Sequence, residues 1–171
     1  MRFLKVLILS LLLVSCGATV NYDYDNKTDF TSYKTYNYFT DIKSGLSELD
    51  FKRLIAALDT AMASKGYTLS ENPDFYIDVK SQEFRNNSGN NVGVGVGSGG
   101  RNVGGGVSIG FPIGSSKLNR EIILDFVDKD RTNLFWQAVS ESAYNPKAKP
   151  EKREAAFVAL VNKILSQYPP K

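Results

Sequence analysis

The residue with the most definite chemistry open to it is Cys16, the single cysteine of the 171-residue chain. It closes the run Leu13-Val14-Ser15-Cys16, behind Arg2, Lys5 and an almost unbroken apolar stretch from Val6 to Leu13. Two cations, a short apolar centre and a small-residue end make a secretory signal peptide over residues 1–15. A cysteine at the cut makes it a bacterial lipobox. The expectation is cleavage before Cys16, with a diacylglycerol thioether on its sulfur and a further acyl chain on the freed α-amine. A lone thiol has no partner for a disulfide within the chain. Two or more acyl chains anchor a protein stably, because each buried CH2 contributes about 0.8 kcal/mol. The apolar run itself falls well short of the roughly 20 residues a spanning helix needs, and polar Thr19, Asn21, Asp23 and Asp25 follow at once. The rival reading is an ordinary secreted protein cut near Ser15 or Ala18.

Little other chemistry is available. The chain has no histidine, which removes the commonest general base and the commonest transition-metal ligand. With its thiol acylated it has no cysteine nucleophile or thiolate zinc site. No metal and no cofactor are expected. Asp23, Asp25 and Asp29 are spaced like the start of a calcium loop, but Lys27 takes a ligand position and no central glycine follows, so a solvated turn is the default. Gly95-Val96-Gly97-Ser98-Gly99-Gly100 matches a dinucleotide glycine pattern, but no helix start follows it to meet a phosphate. Asp125 with Asp128, and Asp128 with Asp130, are carboxylate pairs of the kind hydrolysis uses. Their place at a strand end and turn reads as ordinary solvated acid. The chain is therefore expected not to be an enzyme.

The elements that would hold these residues follow from periodicity. Asn21 to Asp25 alternates aromatic and polar residues, and Asp29 to Phe39 is rich in β-formers. Residues 16–29 read as a lipid-anchored tether leading into a first strand, ahead of a single domain over residues 30–171. Ser47-Glu48-Leu49-Asp50 reads as a helix cap with an acid three residues on. Phe51, Leu54, Ile55, Leu58 and Met62 follow at helical spacing, with Lys52, Arg53, Asp59 and Lys65 outside, and Gly66 ends the helix. Phe75, Ile77 and Val79 share one face of a strand. Ile122, Leu124 and Phe126 share a face of another that ends near Asp128, and Asn133 to Ser140 forms a third. Phe157, Leu160, Val161, Ile164, Leu165 and Tyr168 make a second apolar helical stripe. The predicted fold is α+β: an antiparallel sheet of four to six strands with two amphipathic helices on one face.

Residues 86–116 are compositionally distinct, holding eleven of the fourteen glycines. Val92, Val94 and Val96 alternate with glycine, as do Val107 and Ile109 with their neighbours, around a turn near Arg101. This predicts a weakly registered hairpin, since glycine lowers strand stability through backbone entropy. One apolar and one bare face could pair with another subunit or enter a bilayer, but spanning strands need about 9–11 residues and each arm barely reaches that. Covering a sheet edge is the default reading. Tyr36, Phe75, Ile77, Leu124, Phe126 and Trp136, with Phe135 and Tyr38 nearby, make either a ligand cleft between sheet and helices or the packing beneath them.

Removing Arg2 and Lys5 from the 21 Lys plus Arg leaves 19 against 18 Asp plus Glu, a formal +1. That balance supports no nucleic-acid face. Several short stretches are familiar together: Tyr24-Asp25, Asp29-Phe30, Tyr33-Lys34-Thr35-Tyr36, Pro73-Asp74-Phe75, Phe135-Trp136-Gln137-Ala138 and Tyr168-Pro169-Pro170. In order and spacing the chain resembles a bacterial lipoprotein family, domain of unknown function 4136, over nearly its whole mature length. Ala138 stands where the family pattern expects glycine. The resemblance implies an anchored envelope domain of α+β fold and offers no catalytic residues. The expected partners are a membrane, through Cys16, and an envelope protein or lipid. Gly17 rather than Asp after the cysteine favours sorting to the outer membrane, with a periplasmic face as the expectation and the medium as the alternative. The alternatives are a carrier or sensor of an apolar small molecule, or an oligomeric assembly through the Gly-rich hairpin; the sequence assigns no oligomeric state.

Overall fold

A computed structural model describes residues 17–86 and 117–170. The elements run β1 (Thr19–Tyr24), β2 (Thr35–Tyr38), α1 (Glu48–Ser64), β3 (Thr68–Leu69), β4 (Phe75–Asn86), β5 (Lys117–Asp128), β6 (Leu134–Ala143) and α2 (Pro150–Ile164), with 3-10 turns at Phe30–Ser32 and Leu165–Gln167. The strands form one sheet in the order β1-β6-β5-β4-β2-β3. The predicted α+β class and two-layer arrangement hold. β1, β6, β5 and β4 are antiparallel neighbours, whereas β2 pairs parallel with both β4 and β3. The parallel pairs follow from α1, which carries the chain from β2 across the sheet so that it returns in the same direction.

α1 starts where the sequence reading puts it. The Ser47 hydroxyl accepts from the Asp50 amide at 3.3 Å, and Gly66 beyond the helix takes φ +86°, a left-handed conformation open to glycine. Leu54, Ala57, Leu58, Ala61 and Met62 face inward. Arg53 and Asp59, expected outside, are half-buried. The Asp59 carboxylate accepts from the Tyr36 and Tyr38 hydroxyls at 2.8 and 2.7 Å. Burial first, and then this carboxylate, raises the pKa of both phenols.

Alternation places Phe75, Ile77 and Val79 of β4 and Ile122, Leu124 and Phe126 of β5 under the helices, all at 1% exposure or less. In β6 two consecutive residues, Phe135 and Trp136, are both buried. Strict alternation forbids that. The register explains it: Phe126 pairs with Trp136 and Val127 with Leu134, so Phe135 is the extra residue of a bulge. β1 lies at the far edge of the sheet, within the stretch expected to be tether and first strand, and the Tyr22 hydroxyl donates to the Lys163 carbonyl of α2 at 2.7 Å.

Candidate functional site

The six residues named as cleft or packing are brought together by the fold, as packing. Phe75, Ile77, Leu124 and Phe126 are fully buried, and Trp136 and Tyr36 nearly so. The rings are in mutual contact: Phe126 to Trp136 at 4.6 Å, Phe75 to Phe126 at 5.2 Å, and Tyr168 edge-on to Phe126 at 4.7 Å. Such separations are those of interlocked aromatic pairs and leave no room between the rings for a ligand. Cys16 and the hairpin residues Val92, Val94, Val96, Arg101, Val107 and Ile109 lie outside the described residues.

The weighed carboxylates also have local partners. Asp125, nearly buried on the sheet face away from the helices, accepts from Lys80 at 2.7 Å and from Gln137 at 2.6 Å. Asp128 accepts from the Thr132 amide at 2.9 Å and so closes the β5–β6 turn. Asp29 caps the first 3-10 turn through the Thr31 amide and hydroxyl, and Asp25 accepts from the Lys27 amide. Among the described residues no group of three His, Cys, Asp or Glu side chains is placed to hold a metal ion.

A different constellation lies where the helices meet the β4–β5 end of the sheet. Asp50, in the first turn of α1, is fully buried. Its Oδ1 accepts from Arg53 at 3.0 Å, and its Oδ2 accepts from Arg120 at 2.9 Å and from Arg153. Arg120 also donates to Glu83, its cross-strand partner, at 2.7 Å. Burial opposes the charge of Arg120, but its bonds to Glu83 and Asp50 outweigh that and raise its pKa. The Tyr144 ring covers the Arg120 guanidinium at 3.5 Å, and its hydroxyl accepts from Arg153 at 2.8 Å.

Beside this cluster opens a pocket of about 170 Å³. Ile122, Ala148, Ala156, Phe157 and Leu160 supply its apolar wall, and Arg120, Arg153, Lys152 and Tyr144 its polar end. The sequence reading missed this site. A signal for it was present, because Arg120 and Glu83 fall on the inward register of their strands, in step with Ile122 and with Val79. A charged residue in that register must be paired or put to use.

The model of the family described as "Domain of unknown function (DUF4136)" matches residues 20–170. The chain belongs to this family. Among solved structures, a DUF4136 family protein from Bacteroides thetaiotaomicron is similar at 16% identity and a TM-score of 0.54, over 91% of this chain and 97% of that one. A PDZ domain protein from Parabacteroides distasonis is similar at 14% identity and a TM-score of 0.55, over 99% of this chain, which spans only 40% of that one. A PelC dodecamer from Paraburkholderia phytofirmans is similar at 11% identity and a TM-score of 0.50, over 87% of this chain and 95% of that one. At these identities the likeness is one of fold. No curated protein matches the chain.

The residues that carry the DUF4136 resemblance build the fold. Asp74 accepts from the Lys34 and Thr35 amides at 2.8 Å each and from the Thr35 hydroxyl at 2.9 Å, joining the starts of β2 and β4. Tyr33 stacks on Phe135 at 4.3 Å. Tyr168 fills the space between Phe126 and Trp136.

Proposed function

We propose that this DUF4136 domain is the body of a non-enzymatic cell-envelope lipoprotein, acylated on Cys16, that works by binding another envelope component. The observation that carries the reading is the lipobox cysteine three residues ahead of Thr19, the first residue of β1. Three extended residues reach about 10 Å, so an acylated Cys16 holds the edge of the sheet next to the lipid headgroups. No helix among the described residues is long and apolar enough to cross a membrane. Gly17 supports outer-membrane sorting, with the body taken to face the periplasm.

Metabolic labelling with a radioactive fatty acid tests the reading. The wild type should incorporate label and Cys16→Ser should not. Equal incorporation by both, or by neither, overturns it. The second reading is an oligomeric membrane-associated assembly through residues 88–114, favoured by the likeness of fold to a PelC dodecamer. Deleting those residues should then lower the number of subunits per particle in solution, and a wild type that is already a monomer, or an unchanged subunit number, excludes that reading.

A further inference from the structure

The pocket beside Asp50 carries a charge mismatch. Arg53, Arg120 and Arg153 contact only two carboxylates, Asp50 and Glu83. Arginine keeps its charge in any protein environment, so three guanidinium groups share two carboxylates and the site carries a net formal charge of +1 among the described residues. Arg120 is 5% exposed, and the Nε–H groups of both Arg120 and Arg153 are buried without an acceptor. Lys152 adds a fourth cation at the rim and forms no ion pair among the described residues, and no carboxylate lines the pocket. The surplus is shared by side chains only 5% to 21% exposed, a setting in which net charge is costly and an added anion is favoured. Next to this surplus charge lies a wall of alanine, isoleucine, leucine and phenylalanine side chains.

We infer that this pocket binds a small organic monocarboxylate with an apolar tail, its carboxylate against Arg120, Arg153 and Lys152 and its tail against Ile122, Phe157 and Leu160. Size narrows the class. A dry cavity of about 150 Å³ accepts a six-carbon ring. The space here, about 170 Å³ and open on one side, suits an unbranched chain or single ring of about six to nine carbons. Guanidinium N–H groups not taken up by Asp50, Glu83 and Tyr144 can donate to the carboxylate, and its charge completes the count. A neutral tail of the same size leaves the surplus charge where it was. A bare anion gains nothing from the apolar wall. The inference stands apart from acylation of Cys16: either can fail without the other.

The test is calorimetric titration of the full mature protein in mild detergent, with detergent alone as blank, a medium that holds the protein whether or not Cys16 is acylated. The probes are 3-phenylpropanoate, 3-phenylpropan-1-ol and inorganic phosphate. The acid should bind saturably at one site, and the alcohol at least tenfold more weakly, since a hydrogen bond to a charged group is lost. Phosphate should give no saturable heat. Arg120→Gln disturbs the buried ion cluster and so tests folding as much as binding. Ala156→Trp instead fills the pocket from an exposed helix position outside that cluster. It should abolish binding of the acid at an unchanged thermal midpoint, and Lys152→Gln should weaken it severalfold. Equal binding of acid and alcohol, no binding of the acid, or wild-type affinity in Ala156→Trp each overturns the inference.

Discussion

Asp50 occupies the acid position of a capping box, three residues after Ser47, yet its carboxylate turns away from the helix start and into the protein. There it meets three guanidinium groups in a fully buried setting. Breaking a buried pair strands the remaining charges. Asp50→Asn keeps the shape and removes the charge, so it should cost about 3–5 kcal/mol in urea unfolding. The exposed pair Glu48–Lys52 on the same helix should contribute nothing measurable when Lys52→Ala is unfolded alongside. Asp74 makes a second residue-scale prediction, in pH. Burial works against its charge, but the Lys34 and Thr35 amides and the Thr35 hydroxyl outweigh that and hold its pKa below the ordinary 3.8. The unfolded chain then binds the proton more readily than the folded one. The contribution of Asp74 is therefore complete above pH 3.8 and is lost as pH falls through the lower folded value. In Asp74→Asn the acid limb of a stability–pH curve should flatten below that point.

Among the elements, α1 shows both what the sequence makes legible and what it hides. Ser47, the apolar spacing and Gly66 marked its ends and its buried face, because caps and periodicity are local properties. Ser47→Ala should lower stability by about 1 kcal/mol. The approach to the helix was hidden. Gly45 sits at φ +73°, and a Cβ there would meet the Ser81 carbonyl oxygen of β4 at 2.3 Å. Gly45→Ala should therefore destabilise by about 2 kcal/mol, read as a lowered urea midpoint. β3 escaped the sequence reading, since two residues carry no period. The adjacent burial of Phe135 and Trp136 escaped it as well, because a bulge breaks the alternation that a strand reading relies on. The ion cluster is a harder case. Asp50 looked like a cap and Arg53 like a solvated helix residue, and it is the packing of the two helices on the sheet that brings Arg120 and Arg153 to Asp50. Long-range packing of that kind is not written in any short stretch of sequence.

For the whole molecule, the α+β class and the family were both readable, because hydrophobic alternation and helical stripes cover most of the chain and the family-like stretches build its core. Asp74, Tyr33, Phe135 and Tyr168 hold strand starts and stacked rings, so their presence reports a fold and leaves function to other residues. The pocket at the sheet end stands outside those stretches. The body and its anchor are separable in this account: the core is filled by its own aromatic side chains, and Cys16 lies ahead of the first strand. The most direct measurement is therefore fractionation of cells expressing the wild type and a form in which residues 17–171 follow a cleavable signal peptide without a lipobox, followed by thermal unfolding of each protein. The wild type should sediment with the membranes, and the form without Cys16 should move to the soluble fraction with an unchanged unfolding midpoint. A cleaved protein lacking Cys16 that stays with the membranes would contradict the account.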